Sequence, residues 1–432
     1  MLCAPTKSNG FFVKASQLQG SICVPSSKSQ TMRAIFFALL CDGTSEIEDL
    51  LPSSDTEAAL RACMQLGARV ERQGSQVKIT GIGGRLLRPQ EALDVNNSGI
   101  ALRFLCTISA LADFPILITG DASICGQRSV AALDEGGVPI TYLQKSGFAP
   151  LSVCGPLQPG VFKVDGFDSQ PVSALLVALA FLEGRSEIYV QNPQERPYVT
   201  MTLDWLDRLS IDYEQRDFDH FTIWGEAKRA PFSYRVVGDF STATFLIAAA
   251  LITHSELELT NLDFSDAQAD RRFIEIVQQM GADLVVMPQE KRLLIKRGAL
   301  LKNGTFAISD CIDLLPILAV VGCYGQGRME IVEAAGARGK ECDRISATCT
   351  ELKKMGAKVE ERVDGMLIEG GRLHKAELFS HGDHRLAMAL SVAGLGVEAG
   401  VQVLGVDCIE KTYPTFFEDF TALGAKICKR RF

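Results

Sequence analysis

Long hydrophobic runs are missing from these 432 residues. Stretches such as Ala174 to Leu182 and Phe245 to Ile252 stop far short of the roughly 20 apolar residues that span a bilayer. The first residues, Met1-Leu2-Cys3-Ala4-Pro5-Thr6-Lys7, carry no apolar core of the secretory type, so the expected setting is the cytoplasm. A paired cysteine motif is also missing. The 13 cysteines, an odd number, are scattered from Cys3 to Cys428 without one C-x-x-C, which argues against a disulfide framework or a zinc site and predicts reduced thiols. Positive charge is not in excess either. A net charge of -8 excludes nucleic acid as the default partner, so any anion site must be a local basic cluster. What is present is ample apolar material, 47% of the chain, enough for the cores of two or three domains.

One stretch breaks a local rule. In Pro25-Ser26-Ser27-Lys28-Ser29-Gln30-Thr31-Met32-Arg33, two cations stand at the start of a helix whose following residues, Ala34 to Leu40, are apolar on nearly every face. Backbone N–H groups and the helix dipole already make that end positive, so Lys28 and Arg33 each cost a few tenths of a kcal/mol there. An anionic ligand held jointly by N–H groups, Lys and Arg is the gain that offsets such a cost.

The same order of elements then recurs. After the first apolar helix come a strand from Thr44 to Leu50, an amphipathic helix from Ser54 to Leu66 stopped by Gly67, and two alternating stretches. The pattern returns from Ser241 and from Asp313, and each copy closes its second helix with a Gly-Ala step, at Gly67, Gly281 and Gly356. Weaker copies open at Asn97, Ser169 and His384. The period is roughly 70 residues, which signals repeated supersecondary units. Each copy has its own buried helix and sheet, so two α/β domains of three units, divided near Val237-Gly238-Asp239, are expected rather than one long stack. An additional strand, Phe12 to Lys14, precedes the first unit and is free to complete a sheet of the C-terminal half.

Chemistry-bearing residues cluster at the openings of these units. Asn97 is read as a helix cap, Gly99 permits close backbone approach, and Arg103 repeats the misplaced cation of Arg33. Arg128 lies in a Gly-rich segment suited either to a phosphate or to solvent. Lys340 and Arg344, four apart, share a face if the helix has begun by then. Asp313 ahead of an apolar helix is either an N-cap or a partly desolvated general base. His381, Asp383 and His384 offer metal ligands, but their spacing is poor and Arg385 would repel a cation, so no metal is expected. Lys411 adds a further cation. Lys28, Arg33, Arg128, Lys340, Arg344, Arg385 and Lys411 together exceed the need of one phosphate and suit two polyanionic small molecules, with Asp313 and Glu341 as the nearby acid–base pair.

In combination these motifs resemble the 5-enolpyruvylshikimate-3-phosphate synthase family over essentially the whole chain. The matching residues are Lys28-Ser29 with Arg33, Asn97 with Gly99 and Arg103, Gly120-Asp121 with Arg128, Ser169-Gln170, Arg196-Pro197-Tyr198, Gly238-Asp239 with Ser241, Asp313, Lys340-Glu341 with Asp343-Arg344, Asp383-His384-Arg385, and Lys411-Thr412. The resemblance implies an α/β (α+β) fold of the inverse α/β barrel-like kind, with three βαβαββ units in each of two domains and helix N-termini facing an interdomain cleft. Residues 1–26 with 239–432 would form one domain, and 27–238 the inserted other. It implies transfer of the enolpyruvyl group of phosphoenolpyruvate to the 5-hydroxyl of shikimate 3-phosphate, releasing phosphate, by a monomer with no cofactor.

Carried over residue by residue, Lys28, Ser29, Arg33, Ser169, Gln170, Tyr198, Asp313 and Lys340 would hold shikimate 3-phosphate. Lys28, Asn97, Gly99, Arg128, Gln170, Arg344, Arg385 and Lys411 would hold phosphoenolpyruvate. Asp313 would be the base and Glu341 the acid, with Lys28 assisting. The chain departs from the family at Asp168, a carboxylate that suits a site near phosphate only as a helix cap, at Glu195 and Gly336, which replace the common Ser and Asn of the secondary contacts to shikimate 3-phosphate, and at Ile100 and Phe104, which suggests weakened sensitivity to the family inhibitor glyphosate. Two rivals remain. UDP-N-acetylglucosamine enolpyruvyl transferases carry Lys-Asn where this chain has Lys28-Ser29, and a loop cysteine that Cys125, three before Arg128, does not match in register. A non-catalytic repeat protein binding anionic metabolites would keep the cations without needing Asp313 and Glu341.

Overall fold

A computed structural model describes residues 9–298 and 300–431. The opening residues Met1 to Lys7, with Cys3, lie outside them. The chain divides into two compact units, Met1–Pro25 with Gly238–Phe432, and Ser26–Val237. Each unit is built from three four-stranded sheets, and none of these strand orders closes into a barrel among the described residues.

All six sheets follow one plan, a parallel strand pair extended by two antiparallel strands. Asp165 and the helix after it show the plan uninterrupted: strand Val161–Asp165, helix Ser169–Ala180, strand Gly184–Gln191, helix Arg196–Arg208, then the hairpin Asp212–Arg216 and His220–Gly225. The parallel pair needs a crossover, and the apolar helix supplies it. Three sheets borrow strands from elsewhere in their own unit: Gln19–Cys23 pairs in parallel with Glu256–Thr260. Ser233–Arg235 pairs in parallel with Thr44–Glu48, and Asn9–Lys14 pairs antiparallel with both Val401–Leu404 and Lys426–Arg431.

The six apolar helices Lys28–Leu40, Gly99–Ser109, Ser169–Ala180, Phe240–Ile252, Leu315–Tyr324 and His384–Gly394 are almost wholly buried. Such all-round apolarity fits a helix enclosed by sheets and neighbouring helices. In the N-terminally inserted unit, Phe37 stacks on Trp205 at 5.4 Å, and the indole N–H donates to Gln30 Oε1 at 2.7 Å, so the polar edge of that core is satisfied.

Local details correct several expectations. Ser98, not Asn97, caps the Gly99 helix by accepting from Ala101 N, while Asn97 Nδ2 donates to Asp121 Oδ2 at 2.5 Å. The helix carrying Arg344 begins at that residue, capped by Asp343, so Lys340 precedes it and shares no helical face with Arg344. Asp343 wins the cap because its short carboxylate reaches Ser346 N. Asp313 is no cap either. It lies in the short turn Ile312–Leu314, before the helix Leu315–Tyr324. Near Arg128 the expected second helix of the unit is split into Ala122–Gly126 and Ala131–Glu135, and Arg128 sits in the break, only 5% exposed.

Candidate active site

In the Ser26–Val237 unit, the first helix is capped by Ser27, and Lys28 lies 3.8 Å from the buried carboxylate of Asp55. Arg33 is 2% exposed and engages Thr202 Oγ1 at 2.9 Å, the Tyr198 carbonyl at 2.6 Å and the Ser29 carbonyl at 3.1 Å. The misplaced cation therefore ties its own helix to the Arg196–Arg208 helix. Arg103 repeats the geometry: its Nη1 donates to Gly99 O, four residues back, and its Nη2 to Ser129 O. That repetition is the structural form of the pattern read from sequence.

Gly99 joins this cluster to the next helix. A Cβ built there would stand 2.8 Å from Arg103 Nη1, 3.7 Å from Gln170 Oε1 and 3.8 Å from Arg128 Nε. Gln170 and Arg128, both expected to face phosphoenolpyruvate, thus gather with Arg103 around a position with no side chain of its own. Gln170 Oε1 is buried with no hydrogen-bond partner among the described residues, which marks it as an acceptor available to a ligand donor. Asp168 caps the same helix by accepting from Gln170 N at 3.0 Å and lies 3.8 Å from Arg103. Its carboxylate is thereby accounted for.

The second unit gathers the remaining residues. Arg344, 1% exposed, donates to three carboxylates: Asp383 at 2.6 Å, Asp313 at 2.5 Å and Glu341 at 2.6 Å. Arg385 reaches the other oxygen of Asp313 at 2.7 Å and Asp270 at 3.5 Å. Lys411 lies 3.3 Å from Glu341 Oε1. Burial alone would raise the Asp313 carboxyl, but Arg385, Arg344 and Lys340 outweigh it and hold the group well below the usual carboxylate range. Asp270 goes the other way. Burial pushes it up to about 7, a rise that the Arg385 charge only partly offsets. Glu341, Asp383 and His384 do place ligand atoms within 4.8 Å of one another, yet Arg344 and Lys411 already sit on those carboxylates.

Sequence reasoning missed Asp55 and Asp270. Asp55 looked like an ordinary first-turn acid of an amphipathic helix, and only the fold puts it beside Lys28. Nothing local in the sequence marks Asp270 as a partner of Ser241 and Arg385.

A family profile described as EPSP synthase (3-phosphoshikimate 1-carboxyvinyltransferase) matches residues 13–420. The chain belongs to the EPSP synthase family. Among curated members, the 3-phosphoshikimate 1-carboxyvinyltransferase of Chlamydia caviae is 38% identical over 421 residues, covering 96% of this chain and 94% of its own. That of Acetivibrio thermocellus is 36% identical over 419 residues, 96% of this chain and 98% of its own. The EPSP synthase structure from Acinetobacter baumannii superposes with a TM-score of 0.82 at 27% identity, over 98% of this chain and all of that one. An enolpyruvyl transferase of Streptomyces tendae, at 16% identity and TM-score 0.81 over 99% of this chain and 100% of its own, shares the fold. As an EPSP synthase family member, the protein is a transferase of the shikimate pathway, which leads to chorismate and the aromatic amino acids.

Proposed function

We propose that the carboxylates and cations gathered around Arg344 are the catalytic half of an active site that transfers the enolpyruvyl group of phosphoenolpyruvate to the 5-hydroxyl of shikimate 3-phosphate. The observation that carries this is the placement of Asp313 between Arg344 and Arg385, and of Glu341 between Arg344 and Lys411. A carboxylate so strongly stabilised is a weak base. Phosphate and carboxylate groups of phosphoenolpyruvate would draw on the same three cations, and as their hold on Asp313 and Glu341 loosens, both become competent for proton transfer.

In this reading Asp313 takes the proton of the 5-hydroxyl while that oxygen attacks C2 of phosphoenolpyruvate, and Glu341 delivers a proton to the methylene carbon. A tetrahedral adduct results. Removal of a methyl proton with loss of phosphate then restores the double bond, and Lys28 balances charge on the leaving group. Lys28, Ser29, Arg33, Ser169, Gln170, Tyr198 and Lys340 hold shikimate 3-phosphate. Asn97, Gly99, Arg128 and Gln170 complete the phosphoenolpyruvate site with Arg344, Arg385 and Lys411. We place the enzyme in the cytoplasm as a monomer. No helix among the described residues is long and apolar enough to cross a membrane.

Phosphate release from the purified protein, given both substrates, tests the proposal. Asp313→Ala and Glu341→Gln should each lower kcat by about 10²-fold or more, the usual worth of a positioned acid or base. Undiminished release in both variants would remove the catalytic assignment, and no release from the unaltered protein would remove the activity.

A further inference from the structure

Glu195 is 2% exposed, and its Oε2 accepts two hydrogen bonds from one residue: Ser169 N at 3.2 Å and Ser169 Oγ at 2.9 Å. Its position is unusual in two ways. It stands at the N-cap of the Arg196–Arg208 helix but its side chain does not cap that helix's N–H groups, although capping them is the ordinary use of an acid there. Its backbone is also left-handed, with φ 49°, a conformation that disfavours residues with a side chain. Its carboxylate instead reaches the first residue of the Ser169–Ala180 helix.

Ser169 offers a backbone N–H and a hydroxyl at a helix N-terminus, the pair of donors expected to receive the phosphate of shikimate 3-phosphate. A carboxylate and a phosphate are both acceptors, and they require the same two protons. With Asp168 at the cap of this helix, the phosphate would meet two acids where the helix end alone would have welcomed it. We infer that Glu195 is an internal competitor for the 3-phosphate subsite: its carboxylate must leave Ser169 before the phosphate can bind, and it thereby sets the affinity for the phosphorylated substrate. This rests on the reading of Ser169 as a phosphate ligand. Glu195 acts through Ser169 and is a positioning residue, not a catalytic one.

The test compares Glu195→Ser, which removes the competitor, with Glu195→Gln, which keeps its size and an acceptor oxygen but not its charge. Shikimate 3-phosphate should bind about tenfold more tightly to Glu195→Ser, the scale of a charge-assisted hydrogen bond, and more tightly by a smaller factor to Glu195→Gln. KM for phosphoenolpyruvate should stay within about twofold, and unphosphorylated shikimate should gain nothing, a split that mere loosening of the loop would not produce. Adding Ser169→Ala to Glu195→Ser should abolish the gain. If the Glu195 variants, each shown by its melting curve to be folded, bind shikimate 3-phosphate no better than the unaltered protein while Ser169→Ala binds it worse, the inference fails alone. If Ser169→Ala changes nothing, the reading of Ser169 fails and takes the inference with it. Either Glu195 variant suffices should the other not fold.

Discussion

Arg344 and Asp383 form an ion pair closed off from solvent, with Nε 2.6 Å from Oδ2 and side chains 1% and 0% exposed. The other oxygen of Asp383 caps the His384–Gly394 helix, accepting from Arg385 N at 2.8 Å and Leu386 N at 3.2 Å. One carboxylate thus fixes both the buried Arg344 and the helix that carries Arg385. Asp383→Ala should destabilise the protein by removing one of the three carboxylates that hold the buried Arg344, with about 1 kcal/mol more for the lost cap. Asp383→Asn, which keeps a capping oxygen, should cost less. Denaturant unfolding of the two variants checks the order; equal losses would show that the cap adds nothing.

Gly99→Ala should act on phosphoenolpyruvate and leave the fold alone. The added methyl would press on the Arg103 guanidinium, itself fixed by the Gly99 and Ser129 carbonyls, and would enter the space shared with Gln170 and Arg128. Alanine is otherwise favoured over glycine within a helix. The expected result is a KM for phosphoenolpyruvate raised about tenfold or more with an unchanged melting temperature. An unchanged KM would mean that this space is not used by the substrate. The neighbours Ile100 and Phe104 bear on the same helix: Phe104 is fully buried, 5.4 Å from the Phe36 ring. Reduced glyphosate inhibition, measured against a sensitive family member at matched phosphoenolpyruvate concentration, is the outcome expected from them.

Asp270 and Asp313 impose opposite pH dependences on stability. The folded-state pKa of Asp270 is raised to about 7, so its contribution is complete below the ordinary carboxylate range, near 4, and is lost as pH rises through 7. Asp313 is held low, so its contribution is present above that ordinary range and is lost only in strong acid. Asp270→Asn abolishes the first effect. Its melting temperature relative to the unaltered protein should therefore be more favourable at pH 8 than at pH 5. The reverse trend, or none, would sink the assignment of that titration to Asp270.

Cys125 should be dispensable. Its thiol is half-buried and points its S–H to the Gly120 carbonyl at 3.4 Å. Phosphate release by Cys125→Ser should stay within about twofold of the unaltered rate, because no step of the proposed chemistry uses a thiol. Loss of turnover with substrate binding intact would reopen the rival transferase reading.

The repeat was legible in the sequence because it is written in local physics. Apolar helices, Gly-Ala stops and alternating strands follow from periodicity and turn chemistry, and they locate all six apolar helix starts within two residues of Lys28, Gly99, Ser169, Phe240, Leu315 and His384. The cations at those openings were equally plain, because charge at a helix N-terminus violates a local rule. Their partners were not. Asp55 beside Lys28, Asp270 beside Arg385 and Glu195 on Ser169 are each separated from their partner by more than twenty residues of chain. Hydrogen bonds and ion pairs act over a few ångströms in space and carry no mark of sequence distance. Sequence determined where positive charge would collect; tertiary structure alone decided which carboxylates would meet it, and so which of those charges a substrate must compete for.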